Sequence, residues 1–325
     1  MKLTLLNNSE SKLAPINNLA ELINIKMNNT LPVRDIKDIN MELASLNEQF
    51  HSLYNKMLAI AMDYKSYIDP NVRDDEIYEI RNSVNYRLSS AKFHFELLMR
   101  IIINTDQELT VSHRKSLSNP NYLGPDYLFD NRVRQVSYLS DSIFFHLVSG
   151  FDYISNLVEY ICGGKKQKDF KWTQLSRSAR DQKNSFSKKS VAKIITKLDR
   201  EFVSKLYDHR SYLIHSNIDK RPTSFIINLM EESCETHIFS STSFNSKFYE
   251  LKTESKVYNI TIQYALLWII KKSISSLIEI LFSLKNYMED NKKVAKLCMF
   301  INSPNGEMLP VSGPYWKEKP STTTK

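Results

Sequence analysis

YALLWIIKKSISSLIEILFSL, residues 264–284, is the stretch that decides the fold class of this chain. Its apolar residues recur at three- and four-residue intervals, which is the spacing of one face of an α-helix. Trp268, Ile269 and Ile270 extend the apolar surface beyond that face, and a helix that is apolar on several sides is buried among other elements. We therefore predict a long final helix, about residues 255–290, at the centre of a helical bundle.

Four earlier segments repeat the same helical spacing. The predicted helices span about residues 36–67, 74–104, 131–162 and 188–215. The stretch from residue 104 to 131 is rich in Asn, Pro and Ser and is predicted to be a connector, while Gly163 and Gly164 end the third helix. Two β-like runs, TSFIINLM and HIFSST, predict a small hairpin within residues 222–243.

Together these patterns predict an all-α fold, an up-and-down bundle of about five long helices with a small β-hairpin before the last one. The predicted organisation has an N-terminal extension at residues 1–34 and a helical domain at residues 35–295. Within the domain lie a basic insert at 163–189 and the hairpin insert at 222–243. Residues 296–325 are expected to form a flexible C-terminal tail.

Composition agrees with a helical protein in a reducing compartment. The 325 residues include only 6 Gly and 10 Pro, about 2% and 3% of the chain against averages near 7% and 5%. Cys162, Cys234 and Cys298 are odd in number and scattered, which does not favour a disulfide framework. No signal peptide is recognisable, and Lys271 and Lys272 interrupt the most apolar segment. We expect a cytoplasmic protein without a membrane span.

The positive charge of the chain is concentrated before the fourth helix. Nine basic and two acidic residues lie between Cys162 and Lys189, a balance of +7 in a chain whose net charge is +8. Phe170, Trp172 and Phe186 are interleaved with these charges. Cations beside stackable rings are typical of surfaces that hold single-stranded nucleic acid. The alternative is a solvated connector whose aromatic side chains pack back onto the bundle.

The run LYDHRSYLIHSN, residues 206–217, contains the candidate groups for proton transfer and phosphate binding. An imidazole at His215 can accept the proton of a ribose 2′-hydroxyl, and a guanidinium at Arg210 can hold the phosphate. Residues five apart on a continuous helix diverge by about 140°, so convergence needs the helix to unwind near His215. Pro222 prevents the helix from continuing beyond that point. The alternative is structural, with Arg210 paired to Asp208 and His215 capping carbonyl groups.

Two other histidine patterns are weaker. Arg87 and His94 repeat an Arg–His spacing, but they lie inside a regular helix and are interpreted as a salt-bridged or surface pair. Cys234 and His237 form an isolated C-x2-H, and structural zinc normally takes four ligands, so no metal is expected. No Gly-rich phosphate loop is present, and we expect no cofactor.

The motif from Arg210 to His215, on the penultimate long helix of a bundle, resembles the signature of the HEPN domain family, which reads Arg-x4-6-His in this position. The resemblance implies a bundle of four or five helices. It also implies a metal-independent ribonuclease whose two motif copies meet across a homodimer, leaving a 2′,3′-cyclic phosphate. Arg210 and His215 would then be the catalytic pair. Where the family often has Asn after the Arg, this chain has Ser211.

Further residues are predicted to bind RNA. They belong to the basic insert and to the motif helix, namely Lys165, Lys166, Lys168, Lys171, Trp172, Arg177, Arg180, His209, Tyr212 and Asn217. His209 has an open alternative as an exposed polar residue, and Tyr212 as a packing residue. His146 is interpreted as a hydrogen-bonded core or edge histidine.

The expected function is a dimeric RNA endonuclease, in stress response or in defence against foreign genetic elements, with an antitoxin or regulatory protein as a further partner. A second hypothesis is an inactive HEPN-like module that binds RNA, a nucleotide or a protein through Arg210. A third is a purely structural dimerisation module, for which the basic insert would be irrelevant to nucleic-acid retention.

Overall fold

The computed structural model describes most of the chain. The described residues are 2–6, 36–68, 74–119, 125–163, 170–215, 219–228, 233–255, 260–292, 298–302, 308–312 and 316. Within them the fold is an all-α helical bundle with small antiparallel sheets, which confirms the predicted class.

Three long helices come first. The first two begin at their predicted positions, and the third begins at Pro125, six residues before its predicted start. They are α1 (Ile36–Tyr67), α2 (Asp74–Ser118) and α3 (Pro125–Gly163). The basic insert then contains α4 (Trp172–Arg180) and a short 3-10 turn (Ser185–Lys188). The motif segment consists of α5 (Ser190–Leu198), a π-helical segment (Asp199–Val203) and α6 (Ser204–His215). Two short helices, α7 (Thr242–Lys247) and α8 (Tyr249–Ser255), precede the long α9 (Ile262–Asp290).

The predicted connector at residues 104–131 is wrong, because α2 continues to Ser118 and α3 begins at Pro125. Tertiary contacts explain the extra helical turns. Leu109 is fully buried, and Asp106 accepts hydrogen bonds from the backbone N–H and the hydroxyl of Thr236 at 2.8 and 2.5 Å. These contacts favour the helical conformation in a stretch whose composition is typical of loops.

The predicted hairpin is confirmed, but its second strand lies at Ser233–Ile238 and not at residues 237–242, and a third strand joins the sheet. Strand β2 (Thr223–Asn228) pairs antiparallel with β3 (Ser233–Ile238), in the register Thr223↔Ile238. Strand β1 (Lys2–Leu6) pairs with the other edge of β2, in the register Lys2↔Asn228. The N-terminal extension therefore contributes a strand that the sequence pattern did not indicate.

Part of the segment for which a flexible C-terminal tail is predicted forms regular structure. Strands β4 (Cys298–Asn302) and β5 (Met308–Ser312) form a second antiparallel pair. Beyond it, Trp316 is only 6% exposed, and the ammonium of Lys56 lies 5.4 Å from the centre of its ring. Burial of a tryptophan ring stabilises the end of the chain against this part of the protein.

Two compact units divide the chain, and the division cuts through the long helices. One unit comprises Met1–Leu46, Ser89–His146 and Lys205–Lys272, and the other comprises Asn47–Leu88, Leu147–Ser204 and Ser273–Lys325. Arg210 and His215 belong to the first unit, whereas α4 and α5 belong to the second. Helix α9 contributes buried residues to both cores, with Leu266 in the first and Leu277 in the second.

Candidate functional site

Helix α6 carries the motif and runs regularly from Ser204 to His215. It ends at the predicted residue, and it is α-helical throughout. The expected unwinding between Arg210 and His215 is therefore not present. On a regular helix the two side chains leave the axis about 140° apart, so within one chain they do not face each other.

Arg210 is half-buried, and its guanidinium lies against an aromatic ring. The carbon Cζ is 5.4 Å from the centre of the Phe145 ring on α3, which is cation–π distance. Its Nε atom is buried without a hydrogen-bond partner. Among the described residues it forms no ion pair, so the alternative in which Asp208 neutralises it is wrong for these residues. The cation is held in place but not neutralised.

His215 is exposed at the carboxyl end of α6. Exposure makes the side chain accessible to a ligand, which a proton-transfer group requires.

His209 is neither a phosphate ligand nor an exposed polar residue, in contrast to both sequence-based interpretations. The side chain is 1% exposed and lies in a cage of aromatic rings. The nearest rings, measured between centroids, belong to Phe144 at 4.5 Å, Phe244 at 5.5 Å, Phe248 at 6.1 Å and Tyr212 at 6.2 Å. Burial lowers the pKa of His209 to about 3, with the positive charges of Arg221 and Lys247 as smaller causes. His209 is therefore a neutral core residue.

Tyr212 occupies an intermediate position. Its ring is half-buried and stacks on His209 at an angle of 22°. Packing is thus its main role in the described structure, although part of the side chain faces solvent. Asn217, together with Lys165, Lys166 and Lys168, lies outside the described residues.

A pair of stacked imidazoles joins α2 and α3, and the sequence did not indicate it. His94 on α2 and His146 on α3 are half-buried, with ring centroids 5.1 Å apart. His146 directly follows Phe145, the residue that carries the Arg210 guanidinium. Burial lowers the pKa of His94, which disfavours a positive charge on this ring. His94 contacts another imidazole and Arg87 lies over Tyr153, so each of these two half-buried residues has its own aromatic neighbour.

A buried charge cluster lies between the motif helix and strand β2, and it too was missed. Arg221 Nη2 contacts Asp141 Oδ1 at 3.1 Å and Asp219 Oδ2 at 3.2 Å. The side chains of Arg221 and Asp219 are each 3% exposed. Burial raises the pKa of Asp141, although Arg221 opposes this change. Because Asp141 lies on α3, the cluster fixes the segment after the motif helix to that helix.

The described part of the basic insert, residues 170–189, is folded, and its aromatic side chains are buried as the alternative interpretation states. Trp172 is fully buried, and its indole N–H donates to Asp199 Oδ1 at 2.7 Å. Its backbone N–H donates to Asp152 Oδ1 at 3.0 Å, which caps the start of α4 from α3. Phe170 and Phe186 are also buried, at 9% and 6% exposure. The three aromatic residues therefore cannot stack on bases, and Trp172 is not an RNA-binding residue in this structure.

Most of the described cations of the insert are exposed to solvent, whereas its aromatic rings are buried. Lys171, Arg177 and Arg180 are all exposed, as the sequence-based hypothesis requires. Arg180 also contacts Asp199 Oδ2 through Nη1 at 3.2 Å. Lys189 is an exception, because its ammonium donates to the carbonyl of Cys162 and to the hydroxyl of Tyr287.

Within the described ranges, no group of three or more His, Cys, Asp or Glu side chains is arranged to hold a metal ion. Cys234 instead packs with Leu109 and Phe129. None of the described helices has the length and apolar character needed to cross a membrane.

Comparison with known proteins finds no matching family model. No curated protein and no solved structure matches the chain either. The comparisons therefore neither support nor oppose the resemblance to HEPN domains.

Proposed function

We propose that this protein is a metal-independent RNA endonuclease in which Arg210 and His215 form the catalytic pair. One observation carries the proposal: the Arg210 guanidinium rests on the Phe145 ring without a described carboxylate partner, one and a half helical turns before an exposed histidine. An immobilised, unneutralised guanidinium is suited to binding a phosphate, because its charge and its donors are not already used.

The proposed chemistry needs only these two groups and water. The His215 imidazole accepts the proton of a ribose 2′-hydroxyl, and the 2′-oxygen attacks the adjacent phosphorus. The bond from phosphorus to the 5′-oxygen breaks, and water protonates the departing oxygen. Arg210 stabilises the additional negative charge on the phosphate. The products are a 2′,3′-cyclic phosphate and a 5′-hydroxyl.

The regular helix requires a second subunit for this reaction. Because Arg210 and His215 point about 140° apart in one chain, we propose that each meets its counterpart in a homodimer. Light scattering tests this requirement, and a strictly monomeric protein that still cleaves RNA would contradict it. An antitoxin or other regulatory protein remains a further proposed partner, and a cytoplasmic location a further expectation.

The deciding experiment compares cleavage by native protein, His215→Ala and Arg210→Ala on mixed RNA with a chelator present. Loss of cyclic-phosphate ends in both variants is expected, with a fall of about 10²–10⁴ for the proton-transfer group. The matched controls are His51→Ala and Arg100→Ala, which alter exposed residues on other helices and should retain activity. Equal cleavage by all five proteins would reject the assignment.

A second candidate is an inactive RNA- or protein-binding module that uses Arg210 for recognition. The regular course of α6 favours it, since this keeps the guanidinium and the imidazole on different sides of the helix. It predicts that Arg210→Ala weakens ligand binding while no preparation, including the native protein, releases cyclic-phosphate ends.

A further inference from the structure

The segment from α4 to the π-helical segment carries exposed cations that continue beyond the basic insert. The exposed basic residues of this segment are Lys171, Arg177, Arg180, Lys183, Lys188, Lys193, Lys197 and Arg200, here called the basic surface. The stretch from residue 170 to 200 contains two acidic residues, of which Asp181 is exposed and Asp199 is buried. The segment therefore presents a strong excess of positive charge to solvent.

The helical spacing aligns these cations. Arg177 and Arg180 are three residues apart on α4. Lys193, Lys197 and Arg200 follow at intervals of four and three residues along α5 and the π segment. Residues at these intervals share one side of a helix, so each helix presents one basic face.

Buried contacts hold the two helices in register. Asp199, at the end of α5, accepts a hydrogen bond from the Trp172 indole at 2.7 Å and binds Arg180 Nη1 at 3.2 Å. This single carboxylate thus joins both ends of α4 to the carboxyl end of α5. Arg177, Arg180, Lys193 and Lys197 consequently lie on fixed helices. Lys171 is the N-cap residue of α4, and Lys183 and Lys188 lie in the turns between the two helices.

Most of the cations are not neutralised by neighbouring carboxylates. Lys197 contacts Glu279 at 2.7 Å, and Arg200 contacts Glu201 at 3.5 Å. Lys171, Arg177, Lys183, Lys188 and Lys193 have no carboxylate partner in the described part of the chain. Five exposed, unpaired cations are available to an external polyanion.

We infer that the basic surface binds the sugar-phosphate backbone of nucleic acid without stacking on its bases. Single-strand binding proteins combine cations with exposed aromatic rings. Here the rings of Phe170, Trp172 and Phe186 are buried, and the exposed charged residues are cations with the exception of Asp181. Contacts to phosphates alone do not distinguish base sequence, and they accommodate the regular backbone of a duplex. The expected ligand is therefore double-stranded nucleic acid.

The same observation argues against an anionic membrane as the ligand. Helices that lie on membranes present Trp, Phe or Leu beside their basic residues. None of the large exposed hydrophobic residues of the described chain falls between residues 170 and 200. A surface with cations and no exposed apolar side chain lacks the group that would enter the lipid.

Binding to a duplex does not require the proposed ribonuclease activity. Only the role of this surface, which is to hold structured RNA for cleavage, rests on the proposed function. Binding is measured in the His215→Ala background, where cleavage is absent. Fluorescence anisotropy compares a labelled RNA duplex, a DNA duplex of the same sequence and the single strands. Both duplexes are expected to bind at least as tightly as the single strands.

The test variant replaces Lys171, Arg177, Lys183 and Lys193 with Gln. The matched control replaces four exposed cations of the other unit, changing the net charge equally, namely Arg100, Arg134, Lys220 and Lys272. Each phosphate contact contributes about 0.9 to the slope of log affinity against log salt, so the test variant should lose about 3 to 4 in slope. Its affinity should fall at least about tenfold, against less than about threefold for the control.

Three results would overturn the inference. These are unchanged duplex binding by the test variant, single strands that bind about tenfold more tightly than duplexes, and capture of the protein by phosphatidylserine vesicles with no binding to either duplex. The ribonuclease proposal fails separately, through cleavage that persists in His215→Ala. The binding assay and the cleavage assay therefore test the two proposals separately, and either proposal can fail while the other holds.

Discussion

Buried His209 should make the stability of this protein depend on pH in a predictable direction. In the unfolded chain the imidazole has an ordinary pKa near 6.5, whereas burial among aromatic rings lowers its pKa to about 3 in the folded protein. The unfolded state therefore binds a proton that the folded state excludes. The stability contributed by neutral His209 is complete above about pH 6.5 and is lost as the pH falls towards 3.

The size of the effect follows from these two pKa values. Each pH unit between them changes the free energy of unfolding by about 1.4 kcal/mol. Integration from pH 7 to pH 5 gives a loss of about 2 kcal/mol from this one residue. In His209→Phe the titrating group is absent, and an apolar ring joins the four aromatic neighbours. Whatever its absolute stability, the variant should lose about 2 kcal/mol less than the native protein over this interval.

Urea unfolding at pH 7 and pH 5 measures this difference directly. All other titrating groups are shared, so subtracting the pH dependence of the variant from that of the native protein isolates His209. His51→Phe is the control, because it makes the same replacement at an exposed position on another helix. If His209→Phe and the native protein lose equal stability between the two pH values, the buried neutral histidine is refuted.

Three further predictions concern buried polar groups. Arg221→Leu leaves buried Asp219 and half-buried Asp141 without their shared cation, and urea unfolding should show a loss of about 3–5 kcal/mol, which an unchanged midpoint would contradict. Trp172→Phe removes the donor to Asp199 and should cost about 1.5–3 kcal/mol of stability while duplex binding stays within about threefold of native. Burial raises the pKa of Cys162 to about 12 and of Cys234 to about 11, so peptide mapping should find both thiols unlabelled by iodoacetamide at neutral pH until denaturant is added.

Helical periodicity was a reliable guide where the apolar residues of a segment all face one side. The starts of α1 and α2 and the end of α6 were predicted correctly from this pattern. The pattern failed at residues 104–118, where Asn, Asp and Ser favour loops in isolation. Hydrogen bonds from Thr236 to Asp106 supply the missing stabilisation, and they join residues 130 positions apart in the chain.

The candidate site was predictable in part. Arg210 and His215 could be recognised because the motif lies within six consecutive residues. The aromatic ring beneath the Arg210 guanidinium could not be recognised, because Phe145 lies on a different helix and no local pattern connects it with Arg210. The cluster of Arg221 and Asp141 was invisible for the same reason, as its members are 80 residues apart.

The amino-acid sequence by itself determined that the chain is helical, where its long helices lie, and that its charge is concentrated before the motif helix. These properties depend on neighbours within a few turns. Only the tertiary structure decided which side chains are buried. Tryptophan and histidine suit a surface or a core equally well, so Trp172 and His209 took their roles from distant residues that enclose them. The same packing leaves Arg210 without a carboxylate partner among the described residues. It also buries the aromatic rings of the basic insert, while Lys171, Arg177 and Arg180 stay exposed.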